Sequence, residues 1–378
     1  MYKMHNIMGK LDRRNWLRQS TLAIAGLGFG SSLSYGRNRE QFFPLGEDAN
    51  ELIRIGSNEN PYGPSPMAKE AMIKAIETSN RYPWQTTTAL REKIGGLFGL
   101  SAENVLMGAG SSELLGVAAA FASSETGNAV AAYPTFKLWF KAAEHFGLTI
   151  KSIPCTADKK HNLQAMLDAM DDATRMVYIV NPHNPTGTII PAEELKGFVE
   201  KMSQKCMVLL DEAYTEYSDE PSLGNMVAGN KNIVVAKTFS KIHGLAGARA
   251  GYVLAHPDTI AGLSNFMPWA NAGTSAVSLA GAMASLDDHD FTKMTRSKTD
   301  AVRMMLHSEM QKLGLPHTQS SASFIYYDTS GLKKNLAETC TNAGIQGVRT
   351  FEEGTPWRRT SIGTMAEMEK FLNTLKSC

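Results

Sequence analysis

A lysine flanked by hydroxyl groups and followed by an arginine is the most reactive combination in this sequence. The segment TFSKIHGLAGARAGY follows a β-branched run and places Lys241 beside Thr238 and Ser240, with Arg249 further along the loop. A lysine is usually a solvated surface charge. Burial and nearby positive charge would instead lower the pKa of its ammonium group, and the neutral amine could then form a Schiff base with an aldehyde.

Other polar residues lie where apolar strands are expected to end. Asp211 closes the run MVLLD, where a carboxylate is costly unless it pairs with a cation such as a protonated pyridine nitrogen. Asn184 lies in the loop NPHNPTG, which proline and glycine stiffen, and Asn184 and Tyr214 could both donate to an oxygen on such a ring. Phe136 could cover the ring face. Each residue alone also fits an ordinary turn or core position, so the interpretation depends on their combination.

The segment GAGSSE, residues 108–113, places glycines and the hydroxyls of Ser111 and Ser112 before an expected helix. The free N–H groups and the positive dipole end of a helix N-terminus bind phosphate. An ordinary helix cap, completed by the following glutamate, is the alternative. Together with the hydroxyls and the arginine of residues 238–252, these serines could hold one phosphate group.

The elements that carry these residues must end at one place in the fold. From about residue 100 to 255, short strands that are apolar on both faces alternate with amphipathic helices. This pattern is typical of an α/β fold, a three-layer domain in which helices cover a mostly parallel sheet. Ligands bind beyond the carboxyl ends of strands in such sheets, and each polar segment above follows a strand. We therefore expect one crevice.

The chain length of 378 residues favours about two domains. After residue 290 a long charged helix precedes a strand, a helix, a strand and a closing helix, which is typical of a smaller α+β domain. We predict a large domain over residues 81–285 and a small C-terminal domain over 286–378. Residues 37–80 are predicted to form an arm that contributes to the small domain.

Composition excludes several classes of function. The formal net charge is +1 and no basic face stands out, so nothing favours nucleic acid as a partner. The four cysteines have no C-x-x-C spacing and no neighbouring histidine pattern, which argues against a metal site and a disulfide framework. Outside the N-terminal region, no stretch is long enough to cross a bilayer.

The N-terminal residues 1–36 resemble a twin-arginine export signal. Arg13 and Arg14 precede a short apolar run rich in alanine and glycine, and Ser32 and Ser34 offer small residues for cleavage. An amphipathic helix with a basic edge is the alternative. We expect export to the periplasm by a twin-arginine route, with a cytoplasmic location as the other possibility.

Over residues 50–365 the motifs together resemble those of fold-type I, class I/II aminotransferases that depend on pyridoxal phosphate, closest to the histidinol-phosphate aminotransferase group. Order and spacing are shared by eight segments: NENPYGPSP, RYP, GAGSSE, YPTF, NPHNPTGT, DEAY, TFSKIHGLAGARAGY and RRTSIGT. The resemblance implies pyridoxal 5′-phosphate as cofactor. It also implies a ping-pong Schiff-base mechanism that moves an amino group between an L-amino acid and a 2-keto acid.

The resemblance also implies a role for each candidate residue. Lys241 bonds the cofactor aldehyde and later carries the substrate proton, and Asp211 pairs with the pyridine nitrogen. The other cofactor contacts implied are Asn184 and Tyr214 at the ring oxygen, Phe136 at the ring face, and Ser111, Ser112, Thr238, Ser240 and Arg249 at the phosphate. Tyr82 corresponds to a tyrosine that reaches the neighbouring subunit's phosphate, which implies a homodimer.

Three further residues are implied to bind substrate. Arg359 corresponds to the arginine that pairs with the α-carboxylate, although its neighbour Arg358 leaves the register open by one residue. Arg349 and Tyr62 correspond to residues near the distal group of the substrate.

Substrate identity stays open at this point. Ser323 replaces the asparagine usual in the histidinol-phosphate group, and an export signal does not suit histidine biosynthesis. We therefore favour a free or modified amino acid as substrate. The alternatives are histidinol phosphate itself, a related decarboxylase or lyase reaction, and a non-catalytic protein that binds the cofactor.

Overall fold

A seven-stranded sheet lies at the centre of the computed structural model, which describes residues 52–378. The predicted export signal and the first part of the predicted arm lie outside the described residues. The strands of the sheet are β2 (Val105–Gly108), β3 (Asn128–Tyr133), β4 (Thr149–Pro154), β5 (Thr174–Val180), β6 (Met207–Asp211), β7 (Ile233–Thr238) and β8 (Gly251–Ala255). Their spatial order is β2-β8-β7-β6-β5-β3-β4, and only β8 runs antiparallel to its neighbours.

Two apolar layers sandwich this sheet because its strands are apolar on both faces. In β6, Leu209 packs into one buried cluster, while Val208 and Leu210 pack into the other. The helices around the sheet are α1 (Pro66–Ile76), α2 (Trp84–Leu97), α3 (Ser111–Ala122), α4 (Lys137–His145), α5 (Leu163–Asp168), α6 (Ala192–Ser203), α7 (Pro257–Ser264) and α8 (Ala276–Ser285). The predicted α/β class with a mostly parallel sheet is confirmed.

The carboxyl ends of the parallel strands meet at one edge, as the sequence pattern predicts. β6 ends at Asp211 and β7 ends at Thr238, while Gly251 at the start of β8 pairs with both Thr238 and Gly108. A side chain at Gly251 would place its Cβ 2.4 Å from the backbone nitrogen of Ser111. Glycine therefore allows the start of α3 to approach β8 closely.

A third buried cluster forms around the C-terminal elements. These are α9 (His289–Lys312), β9 (Phe324–Asp328), α10 (Leu336–Asn342), β10 (Ile345–Gln346), β11 (Trp357–Ser361) and α11 (Met365–Lys376). β9 pairs antiparallel with β11, and β1 (Ile53–Arg54) pairs parallel with β10. Ile53 and Ile55 thereby join Tyr327 and Phe371 in one core. The domain boundaries given above stay a prediction.

Two negative findings hold for residues 52–378. No helix there combines the length and apolar character needed to cross a membrane. No group of three or more histidine, cysteine or acidic side chains there is arranged to hold a metal ion.

Candidate active site

Lys241 lies in the turn after β7, at the edge where the parallel strands end. Its Nζ donates to the carbonyl oxygen of Ser57 at 3.0 Å and lies 5.7 Å from the centroid of the Tyr214 ring. Burial and then the positive charge of Arg359 lower the pKa of Lys241 to about 8. A neutral amine is therefore accessible near neutral pH, as an attack on an aldehyde requires.

Asp211 is a buried carboxylate held by neutral partners. It is 4% exposed, accepts the Tyr178 hydroxyl at 3.0 Å through Oδ2, and accepts the backbone N–H of Ala213 at 3.1 Å through Oδ1. Burial raises its pKa to about 6. A cation placed against this carboxylate would stabilise its charged form, and a protonated ring nitrogen fits that need.

Asn184 and Tyr214 are both buried, and each is hydrogen-bonded to a residue far away in the sequence. Tyr214 accepts a hydrogen bond from Asn58 Nδ2 at 2.9 Å, and the oxygen of the Asn184 side chain accepts from Arg359 Nη1 at 2.7 Å. Burial raises the pKa of Tyr214 to about 12, so its hydroxyl keeps its proton at neutral pH. Each side chain retains donor capacity for a ring oxygen.

Arg249 and two hydroxyls form a compact polar cradle. The backbone of Arg249 has φ of 55°, and its guanidinium donates to Ser240 Oγ at 3.4 Å and to the carbonyl oxygens of Ala246 and Ala109. None of these partners is a carboxylate. Thr238 Oγ1 donates to Ser240 Oγ at 3.0 Å. The guanidinium charge thus stays available to an anion.

The amino end of α3 completes this cradle. Ser111 is the first helical residue and Ser112 follows it, while Gly110 caps the helix with φ of 88°. The positive φ favours glycine, and a Cβ at Gly110 would lie 2.2 Å from Arg249 Nη2 and displace the guanidinium. Free helix N–H groups, hydroxyls and a guanidinium in this arrangement suit a phosphate.

Arg359, and not its neighbour Arg358, is hydrogen-bonded to Asn184. Arg359 is 5% exposed and donates to Asn184 and to the carbonyl oxygen of Gly56 at 2.5 Å. Its Nε has no hydrogen-bond partner within the described residues, and burial lowers its pKa to about 10. Arg358 instead donates to the backbone oxygens of Thr355 and Trp357.

The remaining candidates lie at the margins of this group. Phe136 is half-buried beside α4, Arg349 Nη2 reaches Ser57 Oγ at 3.4 Å, and Tyr62 lies under Lys298 Nζ at 4.9 Å. Tyr82 is 69% exposed, and its ring packs at 5.2 Å from Trp84 and 5.6 Å from Trp269. Within one chain, Tyr82 therefore belongs to an exposed aromatic cluster with Trp84 and Trp269.

Sequence reasoning missed two residues that shape this site. Asn58, with φ of 54°, donates to Tyr214 and exchanges hydrogen bonds with Ser361 through its side chain and its backbone nitrogen. Tyr178 donates to Asp211 from the adjacent strand and stacks on Trp139. NENPYGP marks Asn58 as part of a motif, but a tyrosine inside an apolar strand gives no such signal.

A second buried charge cluster lies beside Asp211. Lys237 Nζ pairs with Glu216 at 2.8 Å and with Glu212 at 3.2 Å, and Glu212 also accepts the backbone N–H of Leu223 at 2.8 Å. Burial alone would lower the pKa of Lys237, but Glu216 and Glu212 outweigh it and the net shift is upward. Lys237 therefore joins the ends of β6 and β7 as a charged cross-link.

The buried carboxylate, the low-pKa lysine and the phosphate cradle together fit pyridoxal phosphate, and with the sheet topology they define a fold-type I transferase that depends on this cofactor. The aminotransferase class I and II model matches residues 50–375, and the chain belongs to this family. It is an aminotransferase that depends on pyridoxal 5′-phosphate.

Named relatives agree with this assignment. A histidinol-phosphate aminotransferase of a Geobacillus species is 36% identical over 330 residues, covering 86% of this chain and 89% of that protein. The structure of a putative histidinol-phosphate aminotransferase from Erwinia carotovora atroseptica gives a TM-score of 0.81 at 30% identity, covering 87% and 96% of the two chains. The structure of the Sinorhizobium meliloti histidinol-phosphate aminotransferase in complex with pyridoxal-5′-phosphate gives a TM-score of 0.79 at 25% identity. The match covers 92% of this chain and 100% of that chain.

The Lys237 cluster predicts a large stability effect. Lys237→Met leaves Glu212 buried without its cation, so we expect the free energy of unfolding to fall by about 3–5 kcal/mol in urea titrations. Lys231→Met is the matched control, because it breaks an exposed pair with Asp258 and should cost at most about 1 kcal/mol. Equal losses in both variants would contradict the cross-link.

Proposed function

We propose that this aminotransferase binds its amino donor through the α-carboxylate at Arg359 and uses Lys241 as the base at the substrate α-carbon. The observation that carries the proposal is the buried Arg359 guanidinium. Its hydrogen bonds go to Asn184 and a backbone carbonyl, and its Nε is unpartnered within residues 52–378. A bidentate carboxylate complements such a group.

The cofactor-binding roles follow from the same chemistry. Asp211 holds the proton on the ring nitrogen, Asn184 and Tyr214 donate to the ring oxygen, and Phe136 covers the ring face. The phosphate is held by Ser111, Ser112, Thr238, Ser240 and Arg249. Pyridoxal phosphate, when bound, supplies an aldehyde carbon and a pyridinium ring that stabilises negative charge at the substrate α-carbon.

Lys241 performs the proton transfer in this proposal. With a pKa of about 8, roughly a tenth of the amine is neutral at pH 7. With the cofactor and an amino donor bound, Lys241 Nζ would take the proton from the substrate α-carbon and hold it for return on the cofactor side. The overall reaction would convert the donor to its keto acid and pass its amino group to a second keto acid.

The substrate proposed is a free or modified L-amino acid. Arg349 and the Tyr62 hydroxyl would hold the distal group of the substrate, and the charge of Arg349 contributes to lowering the pKa of Arg359. Histidinol phosphate is the second candidate, because the named relatives act on it. The buried Ser323, where that group usually has asparagine, favours the first.

We also infer a homodimer that shares its active sites through Tyr82. The exposed cluster of Tyr82, Trp84 and Trp269 supports it, since contiguous exposed aromatic side chains mark interaction surfaces. A monomeric holoenzyme in solution would contradict this inference.

The pairing of β1 with β10 supports the proposal that residues 37–80 contribute to a small domain over residues 286–378, beside a large domain over residues 81–285.

Export through a twin-arginine route is proposed from Arg13 and Arg14. Such systems carry folded proteins, so a cofactor inserted in the cytoplasm could travel with the enzyme. Periplasmic location would remove the protein from cytoplasmic histidine synthesis, which again favours another amino acid as substrate.

The pKa of Lys241 predicts how attachment of the cofactor depends on pH. Protein freed of cofactor is incubated with pyridoxal phosphate, reduced with borohydride, and analysed by mass spectrometry. The initial rate of modification at Lys241 should rise between pH 7 and 9 with a midpoint of about 8, because only the neutral amine reacts. Lys241→Ala should prevent this modification, whereas Lys231→Ala should not. A midpoint near the ordinary lysine value would refute a buried, activated Lys241.

A half-reaction tests the function itself. The holoenzyme is given single amino acids, or histidinol phosphate, without a keto acid, and one equivalent of oxo product per site should form with the correct donor. Arg359→Lys should raise the half-saturating donor concentration about 10- to 100-fold, since it replaces a bidentate pair with a point charge. Arg358→Lys should leave it unchanged. Release of carbon dioxide without oxo product would favour a decarboxylase.

Replacing the twin arginines tests export. The double variant Arg13→Lys and Arg14→Lys should accumulate in the cytoplasmic fraction, because twin-arginine transport requires that pair. The double variant Arg37→Lys and Arg39→Lys makes the same charge-conserving substitutions outside the signal and should still be exported. Equal periplasmic amounts of both variants would show that residues 1–36 are not such a signal.

A further inference from the structure

A sheltered ion pair joins two loops that no motif singles out. Lys159 Nζ lies 3.0 Å from Glu352 Oε1 and 3.2 Å from Oε2, and the two side chains are 17% and 14% exposed. Lys159 follows β4, whereas Glu352 precedes β11. The backbone of Lys159 has φ of 63°, an unfavourable conformation for lysine that persists where surrounding contacts require it.

Two aromatic residues enclose this pair. The Tyr326 hydroxyl donates to Glu352 Oε1 at 2.7 Å, and Lys159 Nζ lies 4.7 Å from the centroid of the Trp357 ring. Tyr326 and Trp357 stack with centroids 5.0 Å apart and an angle of 26°. The pair is therefore shielded from water and fixed in direction, unlike an exposed ion pair.

The Glu352 side of the pair reaches Arg359 through one residue. Phe351, adjacent to Glu352, is buried, and its ring centroid lies 4.6 Å from Arg359 Cζ. The Phe324 ring lies 5.4 Å from the same atom. Aromatic faces attract a guanidinium and restrict its rotation. Anchoring Glu352 thus fixes the ring that packs against Arg359.

The Lys159 side of the pair reaches the same arginine by another path. The Lys159 carbonyl accepts the Thr188 hydroxyl at 3.1 Å, Thr188 bonds Thr186 at 2.8 Å, and Thr186 bonds His183 at 2.9 Å. His183 precedes Asn184, which accepts from Arg359. Both partners of the ion pair are therefore connected to the Arg359 guanidinium, Glu352 through Phe351 and Lys159 through the loop that carries Asn184.

We propose that Lys159 and Glu352 are positioning residues that hold Phe351 and the NPHNPTG loop against Arg359, and so pre-set its guanidinium for the substrate carboxylate. The proposal rests on the carboxylate-binding role proposed for Arg359. A guanidinium already fixed in the binding geometry loses less conformational freedom when a carboxylate arrives. The pair therefore acts on substrate affinity rather than on proton transfer.

Steady-state kinetics of the holoenzyme test this role, using the donor found in the half-reaction. Glu352→Gln keeps an acceptor for Tyr326 but removes the charge, and Lys159→Met removes the cation. Each should raise KM for the donor about 3- to 10-fold and change kcat less than 2-fold. Lys160→Met is the matched control, because Lys160 pairs with Asp158 in an exposed position, and it should change neither.

The charge-conserving variant Lys159→Arg distinguishes positioning from general loss of structure, because it keeps a cation beside Glu352 and the Trp357 ring. Its KM should stay within about 2-fold of that of the starting protein, at an unchanged melting temperature. An unchanged KM in the single variants, or kcat falling in proportion, would overturn the proposal. A folded Lys159→Arg variant whose KM rises as much as that of Lys159→Met would also overturn it. If Arg359→Lys leaves KM unchanged, Arg359 does not bind the substrate carboxylate, and both that proposal and this inference are wrong.

Discussion

Charge held out of water at the carboxyl edge of the sheet is the constraint on which this structure depends. Asp211 and Arg359 are both nearly inaccessible, and their hydrogen bonds in the described chain go to neutral groups. Desolvation raises the pKa of Asp211 to about 6 and lowers those of Lys241 and Arg359 to about 8 and 10. Neutral partners hold each group in place without neutralising it, so its charge stays available to a bound molecule.

Glu212, the residue next to Asp211, differs from it because its buried carboxylate is paired with a cation. Glu212 is equally buried, yet it is paired with Lys237 and bonded by the backbone N–H of Leu223. One carboxylate is satisfied internally and cross-links β6 to β7, while its neighbour is left for a ligand. The apolar layers on both faces of the sheet offset the cost of this arrangement, because their strands are almost wholly buried.

The sequence allowed prediction of what depends on local pattern. Strands apolar on both faces predicted a helix-covered, mostly parallel sheet, and strand-end motifs brought Lys241, Asp211 and Asn184 to one edge. The antiparallel direction of β8 was not predicted, since a short apolar strand reads the same either way. Asn58 with Ser361, and Lys159 with Glu352, are 303 and 193 residues apart and carry no periodic signal. Only the folded chain reveals such contacts.

Asn184 links the two halves of the candidate site. Its side-chain oxygen accepts from Arg359, and its amide nitrogen has no hydrogen-bond partner among residues 52–378, so in the proposed function it can donate to the ring oxygen of the cofactor. A substrate carboxylate that binds Arg359 would therefore alter the hydrogen bond that Asn184 accepts from it. This change would in turn alter the polarity of the Asn184 amide. In the proposed function, substrate binding and cofactor binding would therefore share the Asn184 side chain, which the threonine hydrogen bonds of its loop help to hold in place.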